Sequence, residues 1–173
     1  IHSGFMRAIV VSGHTTMNYV PVDPVSLRVR HETGAFVAVV DVGLIAKREI
    51  AEILESAYDG HAGEWETSFM LFTHEELVNM SEISVNVPKI NKNLFPALIP
   101  GDPRINGNTY QLYPTLEEYR ISSEPGEGAT GDPSLATKEK GRIIYEAMVR
   151  NTISVVTEAR RYEVKIKKTK VPV

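Results

Sequence analysis

The sequence contains no cysteine among its 173 residues. Disulfide bonds, thiolate nucleophiles and cysteine-based zinc sites are therefore excluded, so any bound metal ion must be held by His, Asp or Glu. The sequence also lacks an apolar stretch of the roughly 18 to 20 residues that span a bilayer, and it shows no signal-peptide pattern. We therefore expect a soluble, cytoplasmic protein with no membrane partner.

A strong charge of either sign is also missing. The chain has 19 basic and 22 acidic residues, which gives a net charge of −3. This balance provides no basic surface for nucleic acid. With 42% hydrophobic residues, the chain is long enough for one core of ordinary size and short for two. We predict a single domain over residues 1–173 that does not bind nucleic acid.

The first third of the sequence alternates between strand and helix patterns. Residues 7–11 and 35–40 are short, nearly continuous apolar runs, which is typical of parallel strands buried on both faces. About twenty residues separate them, enough for a crossover helix. Apolar residues then recur every three or four positions over residues 44–57, as in an amphipathic helix. This order predicts an α/β fold with a mostly parallel sheet.

The remaining sequence predicts two further helices separated by a long loop. One helix is predicted from Gly63 to about residue 78 and another from Leu135 to about Tyr162. Residues 88–131 have many prolines, glycines and asparagines, with short strands predicted near 109–112 and 119–122. Loops of this length in compact domains are usually functional.

Chemistry-bearing residues concentrate at the start of the first of these two helices. An imidazole and carboxylates lie within a glycine-containing turn over residues 59–68, and His14 follows the first strand, where open α/β sheets bind their ligands. Each residue also has a structural explanation. A histidine after a strand is often a hydrogen-bonded structural residue, Glu66 complements the helix dipole, and Thr67 and Ser68 are able to cap or back-bond.

Three ordered segments resemble the later part of the creatininase family of amidohydrolases. The first is the Gly-Phe-x-Arg-x-Ile-Val-Val-x-Gly-His strand at residues 4–14. The second, at residues 61–68, is similar to the family's His-Ala-Gly-x-x-Glu-Thr-Ser signature. The third, at residues 128–141, is similar to its Gly-x-x-Gly-Asp-Pro-x-x-Ala-x-x-x-x-Gly segment.

The resemblance implies a three-layer αβα fold, assembly into oligomers, and hydrolysis of an amide or related bond in a small molecule by metal-activated water. It implies that His14 binds the metal ion and that Glu66 is a catalytic carboxylate, either a metal ligand itself or a carboxylate that supports the metal ligands. It further implies that His61 is a catalytic residue that carries a proton or stabilises an oxyanion. Zinc or manganese suits these ligands, with iron as a third candidate.

Two departures from the family pattern leave two hypotheses open. Residues 15–17 replace the paired glycines that follow the first motif, and the family's earlier Glu-x-His and Asp ligands are absent. His14 and Glu66 are fewer than the three protein ligands usual in a catalytic zinc site. Either an upstream segment, a homo-oligomer or a partner chain supplies the amino-terminal half of a hydrolase, or the chain is a non-catalytic subunit that keeps the fold and an oligomer surface.

Overall fold

The computed structural model describes residues 3–14, 19–56, 59–85, 104–105, 108–109, 129 and 131–167. The chain divides into two compact units, one formed by Ile1–Ala51 with Tyr145–Val173 and the other by Glu52–Ile144. The single-domain assignment remains a prediction. Among the described residues, no helix is both long and apolar enough to cross a membrane.

The first unit contains the predicted strand-helix-strand arrangement. Strand β1 (Arg7–Ser12) and strand β2 (Phe36–Asp41) pair in parallel, and helix α1 (Tyr19–Thr33) connects them. The register places Arg7 beside Phe36 and Ser12 beside Asp41. The α/β prediction and the parallel strand pair are therefore confirmed. The expected burial on both faces is wrong for β1, where no residue is buried and Val10 and Val11 are 41% and 56% exposed, because β2 is its only paired strand among the described residues.

The amphipathic segment after β2 forms two helices rather than the single helix predicted over residues 44–57. Helix α2 (Val42–Ile45) starts directly after the strand because the Asp41 carboxylate accepts the backbone N–H of Leu44 at 2.8 Å. Ala46 then leaves helical geometry with φ −113° and ψ 14°, and helix α3 follows as Lys47–Ile53. Apolar periodicity does not reveal a one-residue break, because the buried Ala46 and Ile50 keep the four-residue spacing of a helix face across it.

The last helix, α5 (Lys138–Arg161), contributes residues 138–144 to the second unit and the rest to the first. In the first unit, the Arg7 guanidinium donates to the carbonyl oxygens of Ala159 at 2.8 Å and Tyr162 at 2.7 Å. These carbonyls lie at the end of the helix, where they lack intrahelical partners. The arginine of the first family motif therefore caps α5. The most buried apolar residues of this unit are Val40, Ala46, Ala147, Met148 and Ala159.

The second unit is built around helix α4 (Glu64–Thr73). Short 3₁₀ turns follow at Glu75–Leu77 and Met80–Glu82, and another at Pro133–Leu135 precedes α5. Within the predicted loop, β3 (Arg104–Ile105) and β4 (Asn108–Thr109) pair antiparallel. The strand predicted near 119–122 lies outside the described residues.

Candidate active site

The turn before α4 has a backbone that its own side chains hold in an unusual conformation. Ala62 has a φ of +48°, in the left-handed region that costs an L-residue about 1 kcal/mol or more. Its N–H donates to Glu66 Oε2 at 2.7 Å, and its carbonyl oxygen accepts the hydroxyl of Thr67 at 3.1 Å. The residue beside His61 is therefore fixed from both sides.

Glu66 stands at the third helical position, where a glutamate commonly reaches back to the turn before the helix. Glu66 and Thr67 therefore both stabilise the turn, Thr67 by the expected bond back to a backbone carbonyl and Glu66 by accepting a backbone N–H. Glu66 is half-buried, and the hydrogen bond to Ala62 involves Oε2. A carboxylate has acceptor capacity on both oxygens, so this capping role is compatible with a second role as a metal ligand.

Asp59, which the family pattern leaves without a role, is the most strongly perturbed carboxylate of the turn. Burial raises its pKa to about 6, and the charges of Glu64 and Glu66 act in the same direction, against hydrogen bonds from the N–H groups of Trp65 and Glu64. Trp65 N–H donates to Oδ1 at 3.3 Å. Within the described part of the chain, the buried Oδ2 has no hydrogen-bond partner. A carboxyl group with this pKa is suited to proton transfer near neutral pH.

Gly63 lies at the start of α4, and its position explains why the motif has glycine there. A Cβ at Gly63 would collide with the Asp59 carboxylate. Gly63 is also the N-cap of α4, and its N–H donates to the carbonyl of Gly60 at 3.1 Å. Asp59 and the helix start therefore approach each other closely only because residue 63 has no side chain.

Glu64 was not among the predicted site residues, yet it is the fully buried carboxylate of this region. It accepts the backbone N–H groups of Glu55 at 2.9 Å and Ser56 at 2.7 Å, and it pairs with the ammonium group of Lys140. Burial alone would raise its pKa, but these donors outweigh burial and hold the pKa below its ordinary value. In the sequence, this position is a variable one within the motif, so the pattern gave no signal.

The third family motif packs directly against the second. The fully buried Ser68 hydroxyl accepts the backbone N–H of Thr137 at 3.1 Å. A Cβ at Gly141 would collide with the Ser68 carbonyl oxygen and lie 2.9 Å from the Cβ of Phe72. An isolated β-bridge joins Asp59 to Gly131. Contacts of Ser68 and Asp59 with residues 131–141 therefore stabilise the turn before α4.

The two predicted histidines lie in different units. His61 is exposed in the turn, within five residues of Glu66. His14 is exposed at the end of β1, where Ser12 Oγ donates to its carbonyl oxygen at 3.0 Å. The buried Asp41 lies at the same strand ends, because it pairs in register with Ser12. The structure thus places His61 and Glu66 in one turn, and the convergence of His14 with them stays a prediction.

Across the residues that the structure describes, no group of three or more His, Asp or Glu side chains could hold a metal ion. The donor types fit zinc or manganese, but the number of donors does not complete a catalytic site.

The chain belongs to the creatininase family, because the family model for creatinine amidohydrolase matches residues 1–156. No significant match to a curated protein was found.

Solved structures show the same fold. A Bacteroides fragilis protein assigned as a creatinine amidohydrolase has a TM-score of 0.68 at 23% identity, over 95% of this chain and 58% of that one. A mutant creatininase complexed with creatine has a TM-score of 0.64 at 22% identity, over 91% and 58% of the chains. A mutant creatininase of the Zn-Zn type has a TM-score of 0.64 at 22% identity, over 91% of this chain and 57% of that one. The chain therefore spans less than two thirds of these proteins, and the predicted creatininase-like α/β fold is confirmed.

Proposed function

We propose that the protein acts as a metal-dependent hydrolase that opens a C–N bond in a small amide or cyclic amide. The observation that carries the proposal is the turn at residues 59–66, where the exposed His61 adjoins a backbone held by Glu66 and Thr67. Creatine bound to one structurally similar creatininase favours a cyclic amide of the creatinine type as substrate.

In this proposal, His61 accepts and returns the proton, a role that histidine side chains commonly take in catalysis. Asp59 is a further titratable group of the same turn, with a pKa that burial raises to about 6. The positive end of the α4 dipole favours negative charge nearby, but the N–H groups of Gly63, Glu64 and Trp65 already bond Gly60 and Asp59, so they are not available to an oxyanion.

The proposed cofactor is zinc or manganese, since similar solved creatininases include a Zn-Zn form and a manganese form with a TM-score of 0.58. When bound, such an ion polarises carbonyl oxygens and lowers the pKa of water. The proposed ligands from this chain are His14 and Glu66. Two donors are too few, and the proposed source of the remaining ligands is an amino-terminal segment, supplied by a longer chain, a second copy or a partner polypeptide.

A non-catalytic subunit is the second candidate, and one observation favours it. Glu66, Thr67 and Ser68 each make a hydrogen bond that supports the turn or its packing. Their presence is therefore explained by the fold alone. It does not by itself indicate that the metal site is maintained.

Metal content separates the two candidates. The protein, assembled with the proposed amino-terminal segment, is expected to contain stoichiometric zinc or manganese and to convert creatinine to creatine. Glu66→Gln should remove the metal, because the substitution removes the negative charge. The amide oxygen of glutamine still accepts the N–H of Ala62, so the turn should be preserved. The matched control is Glu76→Gln, an exposed carboxylate paired with His74 at 3.2 Å, which should retain the metal.

His61→Gln should keep the metal and lose about 10² to 10⁴-fold in kcat, the usual contribution of a general acid or base. Absence of bound metal from every assembly would contradict the enzyme and favour the non-catalytic subunit.

A further inference from the structure

The buried Glu64 is held by a lysine that enters from the third family motif. Lys140 Nζ donates to Glu64 Oε1, to Glu55 Oε1 at 2.6 Å and to the carbonyl oxygen of Leu135 at 2.9 Å. An ammonium group has three N–H donors, and here each of them has an acceptor. The side chains of Lys140 and Glu64 are 14% and 0% exposed, so this ion pair is shielded from solvent and differs in kind from a surface pair.

Both partners are charged in this environment. Burial opposes the charged form of Lys140, but hydrogen bonds from its ammonium to Glu55 and Glu64 raise its pKa above the ordinary value. The pKa of Glu64 is lowered by the corresponding contacts. Removing Lys140 would leave the buried Glu64 charge with backbone N–H donors but no counter-charge, which is costly.

The pair connects to the proposed catalytic turn through the first residues of α4. Glu64 is the first residue of the helix, and its carboxylate also accepts the N–H groups of Glu55 and Ser56. The next residues of the same turn hold the site: Trp65 N–H donates to Asp59, and Glu66 accepts the N–H of Ala62. Anchoring Glu64 therefore fixes the first turn of α4, whose Trp65 and Glu66 bind Asp59 and the backbone beside His61.

We propose that Lys140 is a positioning residue, which orients the turn at residues 59–66 by anchoring Glu64 at the start of α4. The consequence for activity rests on the proposed hydrolase function. The consequence for the conformation of the turn does not.

Trp65 provides a direct readout, because it is the only tryptophan of the sequence and lies next to Glu64. Its ring packs edge-on against Phe69 with centroids 6.4 Å apart. Its emission and its quenching by acrylamide report the local environment of the turn in the folded protein. A residue that only adds stability would leave both unchanged under conditions where the protein stays folded.

The test compares Lys140→Met with Lys138→Met. Lys138 lies two residues earlier on α5 and pairs with Glu75, but both of those side chains are more than half exposed. In the folded protein, verified by far-UV circular dichroism, Lys140→Met should increase acrylamide quenching of Trp65 about twofold or more as the turn opens locally. Lys138→Met should leave the quenching as in the unchanged protein.

A charge-preserving variant keeps the test decisive if Lys140→Met does not fold. Lys140→Arg retains the charge, but the planar guanidinium does not match three converging acceptors. The Lys140→Arg variant should fold, and acrylamide quenching of Trp65 should lie between the values for the unchanged protein and for Lys140→Met. If Trp65 quenching is unchanged in Lys140→Arg and in any folded Lys140→Met, the proposal is overturned.

The assembled enzyme gives the second readout. Misplacement of a catalytic group by about 1 Å can reduce rates by about 10²-fold, so Lys140→Met should lower kcat by about ten- to a hundredfold with little change in KM. An equal loss in Lys138→Met would contradict a positioning role. If no assembly hydrolyses a substrate, the hydrolase proposal fails, whereas the Trp65 comparison still decides the role of Lys140.

Discussion

The two places where sequence motifs put candidate site residues differ in how firmly this chain holds them. The turn at residues 59–68 is held from several directions by a buried ion pair, a capping carboxylate and the close approach of α5 to Ser68. In the segment at residues 12–14, which follows strand β1, His14 is exposed. The Ser12 hydroxyl donates to the backbone carbonyl oxygen of His14. The comparison indicates that the turn that carries His61 and Glu66 is held by contacts within its own unit, whereas His14 lies at an exposed strand end.

The largest expected difference between the two regions comes from the same substitution at two glycines. Gly141→Ala places a methyl group against the Ser68 carbonyl and Phe72, so it should lower the free energy of unfolding by about 2 to 3 kcal/mol. This loss appears despite the better helix propensity of alanine, which alone would add about 1 kcal/mol.

Gly13→Ala is the matched control, because a Cβ there meets no atom within 4 Å. It should change stability by less than about 0.5 kcal/mol. Urea unfolding followed by circular dichroism measures both. Equal losses at the two glycines would remove the contrast between the regions.

The next prediction concerns the hydrogen bonds by which Arg7 caps α5 in the first unit. Arg7→Met removes two charge-assisted hydrogen bonds to the end of α5 and should cost about 2 kcal/mol. Arg28→Met removes an exposed pair with Glu32 and should cost less than about 0.5 kcal/mol. Hydrogen exchange of peptides from β1 and the end of α5 should accelerate in Arg7→Met. Similar exchange in both variants would show that Arg7 does not stabilise this unit.

The raised pKa of Asp59 predicts how the turn responds to pH. Its folded pKa of about 6 exceeds the ordinary value of 3.8, so the folded state binds the proton more tightly than the unfolded state. The stabilisation from the neutral form is complete below about pH 4 and is lost as pH rises through 6. For a half-buried group, we expect a change of about 1 to 2 kcal/mol across this window.

Asp59→Asn should flatten this part of the stability curve, measured by urea unfolding with Trp65 fluorescence at each pH. Glu75→Gln, at an exposed carboxylate, should leave the curve unchanged. A curve that keeps its slope in Asp59→Asn would assign the pH dependence to another group.

The smallest predicted effect has the opposite sign. Ala62→Gly relieves a left-handed alanine and should raise the free energy of unfolding by about 0.5 kcal/mol, after the entropy cost of glycine is subtracted. Ala147→Gly, at a buried position in α5, should instead destabilise. Destabilisation by both changes would mean that the turn does not impose the strained conformation on Ala62.

Much of the fold was predictable because its signals are local. Continuous apolar runs indicated β1 and β2, and the pattern of apolar residues indicated α5. The break at Ala46 was not predictable, since a single non-helical residue leaves apolar periodicity intact. The end of α4 at Thr73 was placed several residues too late because the 3₁₀ turns that follow continue its pattern.

The sequence by itself determined the family, the chemistry of the available side chains and the placement of His61 and Glu66 in one turn. Residue types and short spacings suffice for these conclusions. Only the tertiary structure decided that Glu64 is the buried carboxylate and that Lys140 neutralises it. Burial and pairing join residues 76 positions apart along the chain, and no local pattern encodes such contacts.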